Sequence, residues 1–268
     1  MIAHLSDRSV MLIEGADATL FLQGLITNNV ALLAQQRAIF SAFLSPQGKF
    51  LYDFFVVQGA DGLLLETEAR QMEGVLALLT KYRLRAKVQF SLLPQWQVYA
   101  GWEEESPILP DAVMYEDTRH STMGWRMISQ QPIMHAENVT AYHAHRMQVG
   151  IPEGWHDLHY DKSFVLEYGY DALHAIDFSK GCYVGQEVTT RTKYRGVVRK
   201  KIVKVQATDG TLPESGTPII SDAGVTVGEM RSHVGMQGLA LCRTQEIQTL
   251  TPQSLLRAGT CIVTLIET

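Results

Sequence analysis

The sequence predicts an α+β chain that ends in a small β-barrel. Two observations carry this reading. Up to about residue 196, short strand-like runs are interleaved with segments whose apolar residues repeat at helical spacing. Beyond it, short strand-like runs follow one another with only turn residues between them, which is the pattern of a barrel.

Taken in order, Ser9–Glu14 reads as a strand, and Gly15-Ala16-Asp17 turns the chain. Asp17 then offers a cap for a helix over Ala18–Leu25, where Leu20, Phe21, Gly24 and Leu25 share a face. Ile39–Leu44 and Phe50–Val57 flank Ser45-Pro46-Gln47-Gly48-Lys49, whose Pro and Gly signal a hairpin. Leu63–Glu66 is a third strand, Ala69–Tyr82 an amphipathic helix and Ala86–Leu92 a further strand. Trp96–Gly101, Val113–Thr118 and Gly124–Ser129 form a second strand-rich block, followed by a helix over Ala136–Gln148 with Asn138 as its cap. After Gly196 come Val198–Gln206, Thr217–Ser221, Val225–Ser232, Gly238–Cys242 and Gly259–Ile266. The expected boundary gives an α+β region over residues 1–196 and a barrel over residues 197–268.

Composition narrows the function classes. With 268 residues and 46% hydrophobic content, the chain can build a large core or several smaller ones. A formal net charge of -5 leaves no electrostatic footprint for nucleic acid. No uncharged apolar run reaches membrane-spanning length, so no membrane partner is expected. Cys182, Cys242 and Cys261 form no C-x-x-C pair, which argues against a disulfide framework and a zinc ribbon. The N-terminus resembles neither a secretory signal nor a transit peptide. The expected home is a reducing one: a bacterial cytoplasm, or a mitochondrial matrix for a processed organellar homologue.

Lys180-Gly181-Cys182-Tyr183-Val184-Gly185-Gln186-Glu187 and its tail to Gly196 combine a thiol, glycines, an amide, a carboxylate and several cations. A core strand favours branched apolar residues, and a surface helix does without Gly. The stretch is read as a strand end, a tight turn and the start of a short helix. Lys180 and Arg191 near Cys182, together with a helix N-terminus, would favour the reactive thiolate. The alternative is that Cys182 is a small buried residue that only packs.

This string, with Arg191 and Tyr194-Arg195-Gly196, resembles the signature of the YgfZ family of folate-binding proteins related to iron–sulfur cluster assembly factors. That family is similar in fold to the T-protein of glycine cleavage, an aminomethyltransferase. Phe21–Asn28, Leu44–Lys49, Arg146–Pro152 and Val227–Ser232 with Gly238–Leu241 extend the resemblance over essentially the whole chain. The resemblance implies a folate-binding α+β region of two similar lobes and a small barrel, arranged around a central cavity. It implies tetrahydrofolate or a one-carbon derivative as cofactor. Glu167 matches the carboxylate that holds the pterin. Tyr183, Gly185, Gln186, Glu187, Arg191, Arg195 and Asp53 are the further folate-binding candidates, and Cys182 with Lys180 the catalytic pair. Iron–sulfur assembly or client proteins are the implied partners.

The chain departs from the aminomethyltransferase where it matters for transfer chemistry. Aligned from Gly48, the paired aspartates of that enzyme become Tyr52 and Asp53. Its Asn aligns with Glu66 and its Tyr with Phe40. A phenol of pKa near 10 is no anion at neutral pH. His143, His145, His156, His159 and His174 crowd one region, but no spacing closes a tetrahedral site, so no metal is expected. Three functions stay open: a tetrahydrofolate-binding factor of iron–sulfur cluster assembly or repair, a folate-dependent one-carbon transferase or demethylase using Asp53 or Glu66 as base, and a non-catalytic scaffold.

Overall fold

The computed structural model describes residues 1–251 and 254–266, so four residues of the expected barrel region, 252, 253, 267 and 268, lie outside it. The first part runs β1 (Ile2–His4), β2 (Arg8–Glu14), α1 (Ala18–Gln23), β3 (Ala38–Leu44), β4 (Phe50–Gln58), β5 (Leu63–Glu68), α2 (Met72–Arg83) and β6 (Gln89–Leu92). Then come β7 (Gln97–Gly101), β8 (Val113–Glu116), β9 (Trp125–Ser129), α3 (Val139–Val149), α4 (Gly154–Asp157) and α5 (Gln186–Arg195). The C-terminal part holds β10 (Lys200–Ala207), β11 (Pro218–Ser221), β12 (Thr226–Val234), β13 (Gln237–Arg243), α6 (Thr244–Thr249), β14 (Leu256–Ala258) and β15 (Cys261–Ile266).

These strands make one sheet of order β3-β4-β5-β2-β6, a second of order β1-β7-β9-β8, and a closed barrel β10-β13-β12-β11-β14-β15. Pairing of β15 back onto β10, Val205 against Leu265, closes the barrel. The fold is thus α+β with a C-terminal barrel, as the strand and helix patterns predict.

Period-two alternation explains why β3 is buried throughout. Ala38, Phe40, Ala42 and Leu44 face the core shared with the second sheet, α3 and the barrel. Ile39 and Phe43 face α1 and α2. On α2, Met72, Val75 and Leu79 point to that second core at helical spacing.

Several local expectations need correction. No strand precedes Cys182; the chain there is turns and irregular backbone, because most of its backbone bonds go to neighbouring turns and not to a ladder. The expected helix over Ala69–Tyr82 opens as a 3-10 turn, Ala69–Gln71. Asp17 precedes α1 without a side-chain cap bond; its Oδ2 accepts from the Lys87 N–H at 2.7 Å instead. Asn138 does cap α3, accepting from the Thr140 N–H at 2.9 Å. The short elements β1, α4, α6 and β14 carry too few periodic residues to be read from sequence.

Candidate functional site

Two clamps hold the Lys180–Gln186 turn. The Lys180 ammonium donates to the backbone oxygens of Ile26 and Asn28, both at 2.6 Å. It also lies 5.2 Å from the Tyr183 ring centroid. Burial pushes Lys180 down to about 8. At the other end, Gly185 has φ +84, and a Cβ there would stand 2.6 Å from the Ser45 carbonyl oxygen. Only glycine fits that close approach to the β3–β4 hairpin. Between the clamps Tyr183 turns into the core, while Cys182 is exposed. Cys242 is buried in the barrel, its thiol pushed up to about 12 by burial, and Cys261 is intermediate.

Helix α5 carries most of the remaining motif. Gln186, Glu187, Thr190, Arg191, Tyr194 and Arg195 line one open groove of about 620 Å³. Lys193 leaves that face and donates to Asp171 at 2.7 Å. Tyr194 is exposed and meets Phe178 edge-on at 5.8 Å between ring centroids.

Glu167 sits on the 3-10 turn Val165–Tyr168, which packs between α5 and β10. Partial burial raises its pKa, opposed by the charges of Lys200, Lys49 and Arg231. Lys49 lies 3.3 Å over the Phe164 ring and donates to the Lys162 carbonyl at 3.0 Å. Arg231 is buried on β12, donates to Glu229 Oε1, contacts His159 Nε2 at 3.1 Å, and leaves only its Nε without a hydrogen-bond partner. A half-buried carboxylate among three cations, one with an orphaned N–H, suits a ligand that has both an amino-heterocyclic edge and carboxylates. Glu167 would take the former and the cations the latter.

Asp53 lies elsewhere. It is 3% exposed, and its Oδ2 accepts from the Gly154 N–H at 2.8 Å and the Tyr170 hydroxyl at 2.9 Å. Asp53 therefore holds the start of α4. A Cβ on Gly154 would stand 2.4 Å from its Oδ1. Burial raises the pKa of Asp53. Glu66 is fully buried; Arg8, Arg126 and Tyr115 all donate to it, and the two arginines hold its pKa at about 2 against the burial penalty. Phe40 is packed against Phe55 and Tyr170.

Glu66 opens a buried charge network that sequence reasoning missed. Arg126 Nη1 donates to the Tyr142 hydroxyl at 3.0 Å, and so does Arg119 Nη2 at 2.7 Å. Arg119 also donates to Glu153 at 2.9 Å and to both oxygens of Asp117. Arg146 donates to Asp157 at 2.9 Å and to Ser232 of the barrel at 3.0 Å. One signal for it was available: Arg126 interrupts the otherwise apolar run of Trp125–Ile128, and a charge there must be paired.

Candidate metal ligands do come together: one ligand atom each from Asp7, His143 and His156, all within 4.8 Å of one another. The hydrogen bonds argue against an ion. Arg146 Nε donates to His143 Nδ1 at 2.9 Å, and arginine can only donate. The His143 proton is therefore on Nε2, which points to Asp7 Oδ2 at 2.9 Å. A protonated Nε2 is no ligand, and a metal-bound histidine normally donates its other N–H where His143 accepts. His159 faces Arg231.

Comparison with known proteins places this geometry in context. Residues 199–267 match the family described as CAF17, C-terminal beta-barrel domain. The chain is 32% identical to the iron-sulfur cluster assembly factor IBA57, mitochondrial, of Mus musculus, over 97% of this chain and 83% of that one. It is 32% identical to the Homo sapiens protein of the same name, over 91% and 78%. The IBA57 homolog, mitochondrial, of Coccidioides immitis is 32% identical over 94% and 72%. A solved structure, the glycine cleavage system aminomethyltransferase T from Bartonella henselae, matches with a TM-score of 0.78 at 14% identity, covering all of this chain and 84% of that one. At that identity the likeness is one of fold. The similarity in fold to the T-protein expected from the motif therefore stands. The relatives bear the name IBA57 where the motif pointed to YgfZ.

Proposed function

This chain belongs to the IBA57 family, and on that premise we propose that it is an accessory factor in iron–sulfur cluster assembly, with Cys182 as its working thiol. One observation carries the choice of residue: Cys182 is exposed on a turn whose neighbours Lys180 and Gly185 are fixed to other parts of the fold. A thiolate is a soft ligand suited to iron–sulfur clusters. Held on a rigid turn, it can meet a cluster or a partner's thiolates without loop reordering. Lys180 acts here as a positioning residue, because its ammonium is engaged by two carbonyls. The partners are iron–sulfur assembly or client proteins. The location follows the compartment of those partners, a mitochondrial matrix or a bacterial cytoplasm.

Tetrahydrofolate remains the proposed ligand at Glu167, supported by the surrounding Lys49, Lys200 and Arg231. On the other side of the balance, Asp53 and Glu66 are engaged inside the core, so the transferase reading lacks an accessible base. The test of the main reading is replacement of the protein by Cys182→Ala in cells, with iron–sulfur enzyme activities as readout. Loss equal to that of the deletion, at normal levels of folded protein, is expected; full restoration refutes it. Calorimetric titration with tetrahydrofolate tests the ligand, and binding that survives Glu167→Gln unchanged removes Glu167 from that role.

A further inference from the structure

We propose that the cleft between the start of α2 and the α4 segment is a binding site for a small planar aromatic anion, a ring bearing a carboxylate. The cleft encloses about 360 Å³, which lies in the range of small-molecule sites. Phe50, Tyr52, Trp155 and Tyr160 supply its aromatic walls. Trp155 and Tyr160 remain 45% and 55% exposed, and among the described residues only Tyr194 joins them as an exposed large aromatic. Two such side chains flanking one cleft mark it as a contact surface. The Tyr52 and Tyr160 rings lie 5.4 Å apart between centroids, so they form one continuous edge.

The charge at the mouth selects the ligand class. Arg70 and His159 line the cleft, and no acidic residue does. The Arg70 guanidinium lies 5.7 Å over the Trp155 ring. It makes no ion pair among the described residues, so its fork is available to a carboxylate in the plane of a ring stacked on Trp155. Burial raises the pKa of its acidic neighbour Glu68 to about 8, which weakens the counter-charge that Glu68 offers Arg70. The Tyr52 phenol, pushed up to about 12 by burial and by its hydrogen bond to Tyr160, stays neutral and adds no negative charge to the cleft. None of the Lys180–Arg195 residues lines this cleft, so the inference is independent of the proposed role of Cys182.

The test is calorimetric titration of the full chain with benzoate and with 2-naphthoate, and with benzamide as the uncharged control. Saturable one-to-one binding of at least one carboxylate is expected, with benzamide clearly weaker. Binding of benzoate assigns a single-ring ligand, and binding of 2-naphthoate alone a fused two-ring one. Arg70→Gln should weaken binding about tenfold or more, the size of a lost charge-assisted pair. Arg70 is exposed, so its variant should melt with the unaltered protein. Quenching of Trp155 fluorescence in the unaltered chain, absent in Trp155→Phe, gives a reading that needs no affinity variant. No binding of either carboxylate up to about 1 mM overturns the proposal, as does an Arg70→Gln affinity equal to the original.

Discussion

The charges between the two sheets and those of the Lys180–Arg195 stretch are the same residue types put to opposite use. In the interior, Arg8, Arg119, Arg126 and Arg146 meet Glu66, Asp117, Glu153 and Asp157, so cations and carboxylates balance one for one. Almost no solvent reaches these side chains. In the motif, Lys180 is turned inward to two carbonyls, while Arg191 and Arg195 stay in solvent beside an open groove. Burial demands that every charge be answered, and a network so answered has nothing left for a ligand. The exposed stretch keeps a thiol and cations uncommitted. That difference assigns function to the surface motif and architecture to the interior.

Removing one partner inside the network is the severest way to break the contrast. Glu66→Leu strands Arg8 and Arg126 in the core and should cost about 3–5 kcal/mol in urea denaturation. A smaller loss would mean that these arginines reach water. Lys180→Met comes next: two charged hydrogen bonds to Ile26 and Asn28 disappear, and a loss of about 1–3 kcal/mol is expected. Should stability hold, the inner clamp of the turn is not a clamp.

A pH effect sharpens the same comparison, because two neighbouring carboxyls on β5 have opposite signs. Glu66 is depressed to about 2, so its stabilisation is complete above the ordinary carboxyl range and is lost as pH falls from there toward 2. Glu68 is raised to about 8: the unfolded chain loses this proton at ordinary carboxyl pH while the folded chain keeps it, so stability declines as pH rises from there to about 8. In melting curves taken across that upper window, Glu68→Gln should flatten the decline. An unaltered slope would place the cause in another group.

How much of this was legible in the sequence varies with the physics. Five of the six barrel strands, all but β14, were readable because Gly and Asp turns punctuate them, and the first hairpin because Pro46 and Gly48 mark its turn. The exposed thiol was only half readable: the motif drew attention to Cys182, but whether it packs or faces solvent depends on where Lys180 and Gly185 are anchored, in segments more than 130 residues away. The buried network was opaque for the same reason. Glu66 meets Arg126 across a separation of 60 residues, and no local pattern announces such a pair. Asp53 was placed by alignment to the second of a relative's paired aspartates; its bonds to Gly154 and Tyr170 are long-range facts too.

The central claim is that the fold opens one thiol to partners while it closes the interior. Brief alkylation of the native protein with iodoacetamide, followed by mass mapping of all three cysteines, tests it most directly. The account predicts labelling of Cys182 in the native state and labelling of Cys242 only after unfolding. A Cys182 that stays unlabelled until the protein unfolds would contradict it.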